Sequence, residues 1–137
     1  MRIILFICFL IGSGTAFNHL SNYEANSTTT KEEAMKGKAL RHVVLFKFND
    51  SAMDKDVKEI EDAFHGLSKT IKEIKDFEWG KNNSPEGLDQ GFTHCFVVTF
   101  KSEEDRDAYL PHPDHKKFVE LLEPHLDKVL VVDYWTR

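Results

Sequence analysis

The sequence is poor in cysteine, with two among 137 residues. Cys8 lies in an apolar N-terminal run that we expect to be removed, which leaves Cys95 without a partner for an internal disulfide. Stability must then come from a hydrophobic core or from oligomerisation. Cys95 falls in an apolar strand pattern, where a thiol usually behaves as a small buried hydrophobe.

The sequence also lacks an excess of positive charge, and its formal net charge is −5. A nucleic-acid-binding domain needs a basic face, so we expect no nucleic-acid partner. No glycine-rich phosphate loop and no serine nucleophile elbow occur along the chain. Nothing in the pattern indicates flavin, haem or nicotinamide, and we expect no cofactor.

No hydrophobic run is long enough for a comfortable membrane span. Arg2 precedes a short apolar stretch, Ile3 to Ile11, and small residues follow it up to Ala16. This layout predicts a signal peptide over residues 1–16, with cleavage after Ala16. The alternative is an uncleaved membrane anchor. We therefore expect a secreted or periplasmic protein that does not associate with a membrane after cleavage.

Residues 17–38 are polar, without sustained apolar periodicity, and are predicted to form a flexible linker. Residues 39–137 carry the patterns of a domain. Alternation predicts strands, whereas spacings of three and four predict an amphipathic helix. The predicted order is a strand at Leu40–Phe48, a helix with the stripe Val57–Ile71, strands at Glu73–Gly80 and Phe92–Phe100, a helix from Ser102 that restarts at Pro113, and a strand at Val129–Trp135.

This order, βαββαβ, predicts an α+β, ferredoxin-like fold with a four-stranded antiparallel sheet. Helices cover one face of such a sheet, and the other face also carries apolar residues here. Stacking two sheets in a homodimer would bury that face and hide the strand edges. The expected interface residues are Val43, Leu45, Val97 and Val131.

The segment from Tyr109 to Phe118 is the most specific part of the chain. It contains His112 and His115 next to two prolines. Histidine is suited to proton transfer because its ordinary pKa lies near neutrality. We expect Tyr109 and His115 to be the catalytic pair, although a purely structural polar pair is the alternative.

Two further histidines, His42 and His94, lie near the starts of the first and third strands, which are expected to be central neighbours. If both face the helices, an apolar pocket with a few polar groups results, which is typical of a small-molecule site. The expected pocket residues are His42, Val44, Phe46, His94, Phe96 and His112. His42 and His94 are equally compatible with buried structural histidines, and His112 with a residue that fixes the turn before the helix.

A zinc site made of His112, His115 and one strand histidine is conceivable. Metal-binding histidine pairs on a helix more often have a spacing of four, and no cysteine or carboxylate is clearly placed to help. We expect no metal.

These motifs resemble the stress-responsive A/B barrel (Dabb) family over the range Leu40 to Trp135. The resemblance rests on the opening strand, the middle segments and the helical signature: LRHVVLFKF at 40–48, FEWGKN at 77–82, SPEG at 84–87, GFTH at 91–94, Tyr109-Leu110, His112-Pro113, His115, Phe118 and Asp133-Tyr134.

The resemblance implies a dimeric α+β barrel. In a plant polyketide cyclase of the family, the acid–base pair falls on Tyr109 and His115, and other pocket histidines fall on His42 and His94. Two functions follow: binding of a small apolar molecule, or a cofactor-independent lyase, cyclase or isomerase reaction. The signal peptide favours the binding function, because an exported protein would not meet an intracellular polyketide.

Overall fold

The computed structural model describes residues 37–137, which form one compact unit. The predicted signal peptide and most of the predicted linker lie outside the described residues. The elements are β1 (Leu40–Phe48), α1 (Asp54–Thr70), β2 (Asp76–Lys81), β3 (His94–Phe100), α2 (Glu103–Tyr109), α3 (Pro113–Leu122), a 3₁₀ turn (Glu123–His125) and β4 (Leu126–Trp135). No helix within residues 37–137 is long and apolar enough to cross a membrane.

The four strands form one antiparallel sheet in the order β2-β3-β1-β4. The α+β, ferredoxin-like arrangement predicted from the sequence is confirmed. The second strand begins at Asp76, three residues later than predicted, because Ile74 is buried before the strand rather than within it.

Helices pack on one face of the sheet, which we call the helix side. On the central strands β1 and β3 it carries His42, Val44, Phe46, His94, Phe96 and Val98, all of them buried. Phe64 from α1 and Phe118 from α3 stack on each other above this face, with ring centroids 4.5 Å apart. Both rings also contact Phe46, so a cluster of aromatic side chains fills the middle of the core.

The opposite face of the sheet, which we call the open face, has no covering element within residues 37–137. Val43 lies opposite Val97 on β3 and Val132 on β4, so these three valines share this face. Leu45 lies beside Cys95 and Leu130 in the same way. Leu130 and Val132 are 45% and 47% exposed.

The prediction that Val131 belongs to this face is wrong. Val131 lies opposite Val44 and therefore points to the helix side. The observed pairing of β4 with β1 differs by one residue from the pairing that we expected. Because side chains alternate along a strand, a difference of one residue moves a side chain to the other face. Val132 takes the place that we expected for Val131.

Candidate functional site

Tyr109, the last residue of α2, is completely buried on the helix side. Its ring contacts Phe100 and His42, with centroids 5.2 and 6.0 Å away. Its hydroxyl has no hydrogen-bond partner among the described residues. Burial raises the pKa of Tyr109, so the hydroxyl remains protonated at neutral pH and is available as a donor.

His115, in the first turn of α3, lies against Tyr109 with ring centroids 4.2 Å apart. Its Nδ1 donates a hydrogen bond of 2.9 Å to the Leu110 carbonyl oxygen, which can only accept. Burial lowers the pKa of His115, partly opposed by this hydrogen bond. In the neutral ring the Nε2 atom therefore carries the free lone pair, as a general base requires.

His42 on β1 is the third polar group of this site. Its Nδ1 lies 2.7 Å from the Asp133 Oδ1 atom on β4. The second oxygen of Asp133 accepts a hydrogen bond of 2.8 Å from Arg106 on α2. The sequence patterns do not by themselves predict Asp133 and Arg106 as residues of this site. Two sequence features nevertheless point to these residues. Alternation along β4 puts Asp133 on the same face as Val131, and a spacing of three puts Arg106 on the same side of α2 as Tyr109.

His112 is the N-cap residue of α3, and its Nδ1 accepts a hydrogen bond of 3.2 Å from the Asp114 amide. Pro113 follows as the first helical residue, where its missing amide hydrogen is not needed. This geometry matches the expectation that His112 fixes the turn. His112 also lies close enough to influence His115, whose pKa it helps to lower.

The predicted apolar pocket residues Val44, Phe46 and Phe96 lie on the helix side and are buried in the core. Phe46 and Phe96 belong to the aromatic cluster, with ring centroids 5.1 Å apart. Two exposed valines lie on the elements that carry the site residues. Val119 lies one turn after His115 on α3 and is 42% exposed, while Val131 on the helix side of β4 is 48% exposed.

The structure does not bring His94 to this site. His94 lies opposite Phe46, whereas His42 lies opposite Val98, four residues further along β3. Four residues of strand correspond to about 13 Å. We expected the two histidines together because each begins its strand, but the starts of antiparallel neighbours lie at opposite ends of the sheet.

His94 instead pairs with Glu61, which was not among the predicted site residues. Its Nε2 lies 3.1 Å from the Glu61 Oε1 atom on α1, and its Nδ1 lies 2.8 Å from the Thr93 hydroxyl. Lys81 at the end of β2 also reaches Glu61, at 3.1 Å. The side chains of Glu61 and His94 are each only 6% exposed. The signal was Glu61 itself, a carboxylate on the apolar stripe of a predicted helix.

A cavity of about 460 Å³ lies near His94, between the open face and the loop at 82–92. Its walls combine side chains of β1, β2 and β3 with loop residues: Leu45, Glu78, Trp79, Gly80, Lys81, Asn82, Asn83, Asp89, Phe92, His94, Cys95 and Val97. Burial raises the pKa of the Cys95 thiol, and the negative charge of Glu78 raises it further. A protonated thiol is a weak nucleophile. Cys95 is half-buried at the cavity wall, so it is less buried than the strand pattern predicted.

Metal-ligating side chains do not converge in the part of the chain that the structure describes. No group of three or more His, Cys, Asp or Glu residues within 37–137 is arranged to hold an ion.

The fold and the site define a ferredoxin-like α+β domain with a tyrosine–histidine site on its helix side. The chain belongs to the stress-responsive A/B barrel domain family, whose model matches residues 40–136. The predicted resemblance is thereby confirmed.

Two relatives and two solved structures show the range of this similarity. The stress-response A/B barrel domain-containing protein HS1 of Arabidopsis thaliana is 40% identical over 102 residues, covering 74% of this chain and 93% of that protein. Olivetolic acid cyclase of Cannabis sativa is 31% identical, covering 72% of this chain and 98% of that protein. A hydroxynitrile lyase from Passiflora edulis has a TM-score of 0.69 at 26% identity, covering 72% and 94% of the two chains. A dimeric ferredoxin-like protein of unknown function from Thermobifida fusca has a TM-score of 0.60 at 28% identity, covering 72% and 91%.

Proposed function

We propose that the protein binds a small, largely apolar molecule at the Tyr109–His115 site. The observation that carries this proposal is the buried Tyr109 hydroxyl without a hydrogen-bond partner. Such a group loses its hydrogen bond to water, at a cost of about 1–3 kcal/mol. A carbonyl or hydroxyl oxygen on a bound molecule would restore that bond, and the exposed valines on α3 and β4 offer surface for its apolar part.

A second function, proton transfer to or from the bound molecule, is favoured by the geometry of His115. The neutral ring presents Nε2 as a base, and the Tyr109 hydroxyl can donate to an oxygen that gains negative charge. One similar protein is named as a cyclase and one similar solved structure as a lyase. The reaction that we propose for this chain is therefore of the lyase or aldol-cyclase class, with His115 as the base and Tyr109 as the hydrogen-bond donor.

The test of both functions uses His115→Gln and Tyr109→Phe, with His65→Gln as the matched control because His65 is an exposed histidine on α1. The probes are neutral aldehydes, ketones and hydroxynitriles, with binding followed by NMR and cleavage by aldehyde release. We expect Tyr109→Phe to weaken binding about fivefold, since one hydrogen bond contributes on the order of 1 kcal/mol. His115→Gln should abolish turnover while the chain stays folded.

The outcomes separate the two functions. Binding that depends on Tyr109, without turnover of any probe, supports the binding function alone. A reaction that is lost in His115→Gln supports the enzyme. Equal behaviour of wild type, Tyr109→Phe and His115→Gln would refute both.

We also propose that the protein is a homodimer, joined through the open face. Apolar residues on that face, including Leu130 and Val132, are nearly half exposed in one chain. Several solved structures with a similar fold are described as dimeric ferredoxin-like proteins. A second copy would bury this surface by packing one sheet on the other.

Export is the remaining part of the proposal. The apolar run and small residues that end at Ala16 support cleavage there and secretion into the periplasm or medium. N-terminal sequencing of the secreted protein should begin at Phe17. An uncleaved chain that stays with the membrane fraction would contradict it.

A further inference from the structure

Arg106 on α2 is held by two carboxylates. Its Nη1 donates a hydrogen bond of 2.8 Å to the Asp133 Oδ2 atom. Its Nε and Nη2 donate to the Asp107 Oδ1 atom at 3.1 and 3.0 Å. Its side chain is 23% exposed, less than that of Asp107, which is 64% exposed. The guanidinium therefore connects a surface carboxylate with one that reaches into the site.

Asp133 uses both of its oxygens. Oδ2 accepts from Arg106, and Oδ1 accepts from the His42 Nδ1 atom at 2.7 Å. An ionised carboxylate can only accept, so the proton of the neutral His42 ring is on Nδ1. The His42 side chain is only 8% exposed, which leaves its ring little freedom to turn.

We propose that Arg106 is a positioning residue of the site: through Asp133 it fixes His42 in the tautomer whose Nε2 is unprotonated, edge-on to Tyr109. The ring centroids of His42 and Tyr109 are 6.0 Å apart at an interplanar angle of 67°. A carboxylate that is held at both oxygens keeps one orientation, in the way that outer partners orient the histidines of metal and catalytic sites.

This assignment rests on the proposed function and narrows the class of ligand. His42 and His115 each present an acceptor nitrogen, while the Tyr109 hydroxyl is a donor. The complementary molecule is uncharged, with one carbonyl or nitrile acceptor and an O–H or acidic C–H donor. A carboxylate ligand is disfavoured, because it would face two lone pairs and the charge of Asp133.

The experiment is nitrogen-15 NMR of the histidine rings in the full chain, at a pH where the imidazoles are neutral. In wild type we expect His42 in a single tautomer, with its two ring nitrogens giving widely separated resonances. In Arg106→Gln the resonances should move toward each other as the tautomers mix. Asp107→Asn is the matched control, since it removes the other carboxylate partner of Arg106, and it should leave the His42 signals unchanged.

A second measurement distinguishes a failure of the positioning role of Arg106 from a failure of the proposed function. Binding of 2-hydroxyacetophenone, which has a carbonyl acceptor and an O–H donor, and of mandelate, a carboxylate of similar shape, is compared in wild type and Arg106→Gln. We expect the hydroxyketone to bind wild type at least tenfold more tightly than mandelate. Arg106→Gln should weaken binding of the hydroxyketone, because a mixture of His42 tautomers no longer presents the acceptor nitrogen in every molecule. If neither molecule binds but the tautomer still depends on Arg106, the proposed function fails and the positioning role stands. A wild-type His42 with its proton on Nε2, or Arg106→Gln signals identical to wild type, would overturn the positioning role.

Discussion

Two buried histidines of this domain are each paired with a carboxylate, at opposite ends of the helix side. His42 is paired with Asp133, which Arg106 also holds, and His94 is paired with Glu61. Buried charges are costly unless they are paired and hydrogen-bonded. The two pairs differ in surroundings, because the first lies beside the unpartnered Tyr109 hydroxyl, whereas the second has further polar contacts with Lys81 and Thr93.

The Glu61–His94 pair predicts strong thermodynamic coupling. His94→Leu should lower the free energy of unfolding by about 3 kcal/mol, because it leaves a buried carboxylate with Lys81 alone. The double variant with Glu61→Leu should be much closer to wild type, since no buried charge remains. Urea denaturation of both single variants and the double variant gives the coupling energy. Additive effects of the two substitutions would contradict this pairing.

Buried imidazoles also predict a pH dependence of stability. Burial lowers the pKa of His94 and of His115 in the folded chain. As the pH falls below the ordinary histidine value of about 6.5, the unfolded chain takes up protons before the folded chain does. The free energy of unfolding is therefore highest above that pH and decreases as the pH falls below it. The decrease ends once the pH is below the lowered pKa values of the folded chain.

The size of this effect is limited to about 1.4 kcal/mol per pH unit for each histidine. Urea denaturation at several pH values between 5 and 7.5 measures it. His115→Gln should flatten the dependence, whereas exposed His65→Gln should not. An unfolding free energy that rises on acidification in wild type would show that the assignment of neutral buried rings is wrong.

At the scale of elements, the loop at 82–92 determines the shape of the cavity on the open face. Gly87 and Gly91 have φ values of +69° and +85°, in the left-handed region. A Cβ atom at Gly91 would lie 2.9 Å from the Lys47 Cε atom, while one at Gly87 would meet nothing within 4 Å. Lys47 in turn pairs with Asp127. The loop therefore packs against the Lys47 side chain at Gly91.

This contact predicts different costs for two similar substitutions. Gly87→Ala should cost roughly 1–2 kcal/mol, the strain of alanine in the left-handed region. Gly91→Ala should cost more, because the added methyl group must also displace Lys47. Thermal unfolding of the two variants side by side isolates the difference. Equal costs would mean that Lys47 moves aside freely.

At the scale of the whole molecule, β4 is exposed along most of its length. It is an edge strand, and its valines are exposed on both faces, with Val131 at 48% and Val132 at 47%. Exposed edges and apolar faces invite association with another chain. In the proposed dimer Val132 would be buried between the sheets, whereas Val131 would adjoin the ligand site.

The two neighbouring valines provide a matched pair for testing the dimer. Val132→Lys should shift the protein from dimer to monomer, because it places a charge between two packed sheets. Val131→Lys should leave the dimer intact and weaken ligand binding instead. Native mass spectrometry of the full chain reads out both effects. A wild-type monomer, or a dimer that resists Val132→Lys, would refute the proposed interface.

The sequence by itself determined the order of elements, the fold class and the family. Alternation predicted β1 with its bounds and β3 with a start two residues too early. The spacing of three and four predicted α1, and Pro113 marked the start of α3. These patterns are local, and each residue contributes to them through its immediate neighbours. The closeness of Tyr109 and His115 followed for the same reason, since six residues and one turn separate them.

Only the tertiary structure decided which distant groups meet. Strand register placed His42 beside Asp133 and moved Val131 to the helix side, and antiparallel pairing placed His94 far from His42. Helix packing brought Glu61 onto His94 and Arg106 onto Asp133. Contacts between residues far apart in the chain depend on how whole elements align, and a shift of one residue in a strand reverses every side chain on it.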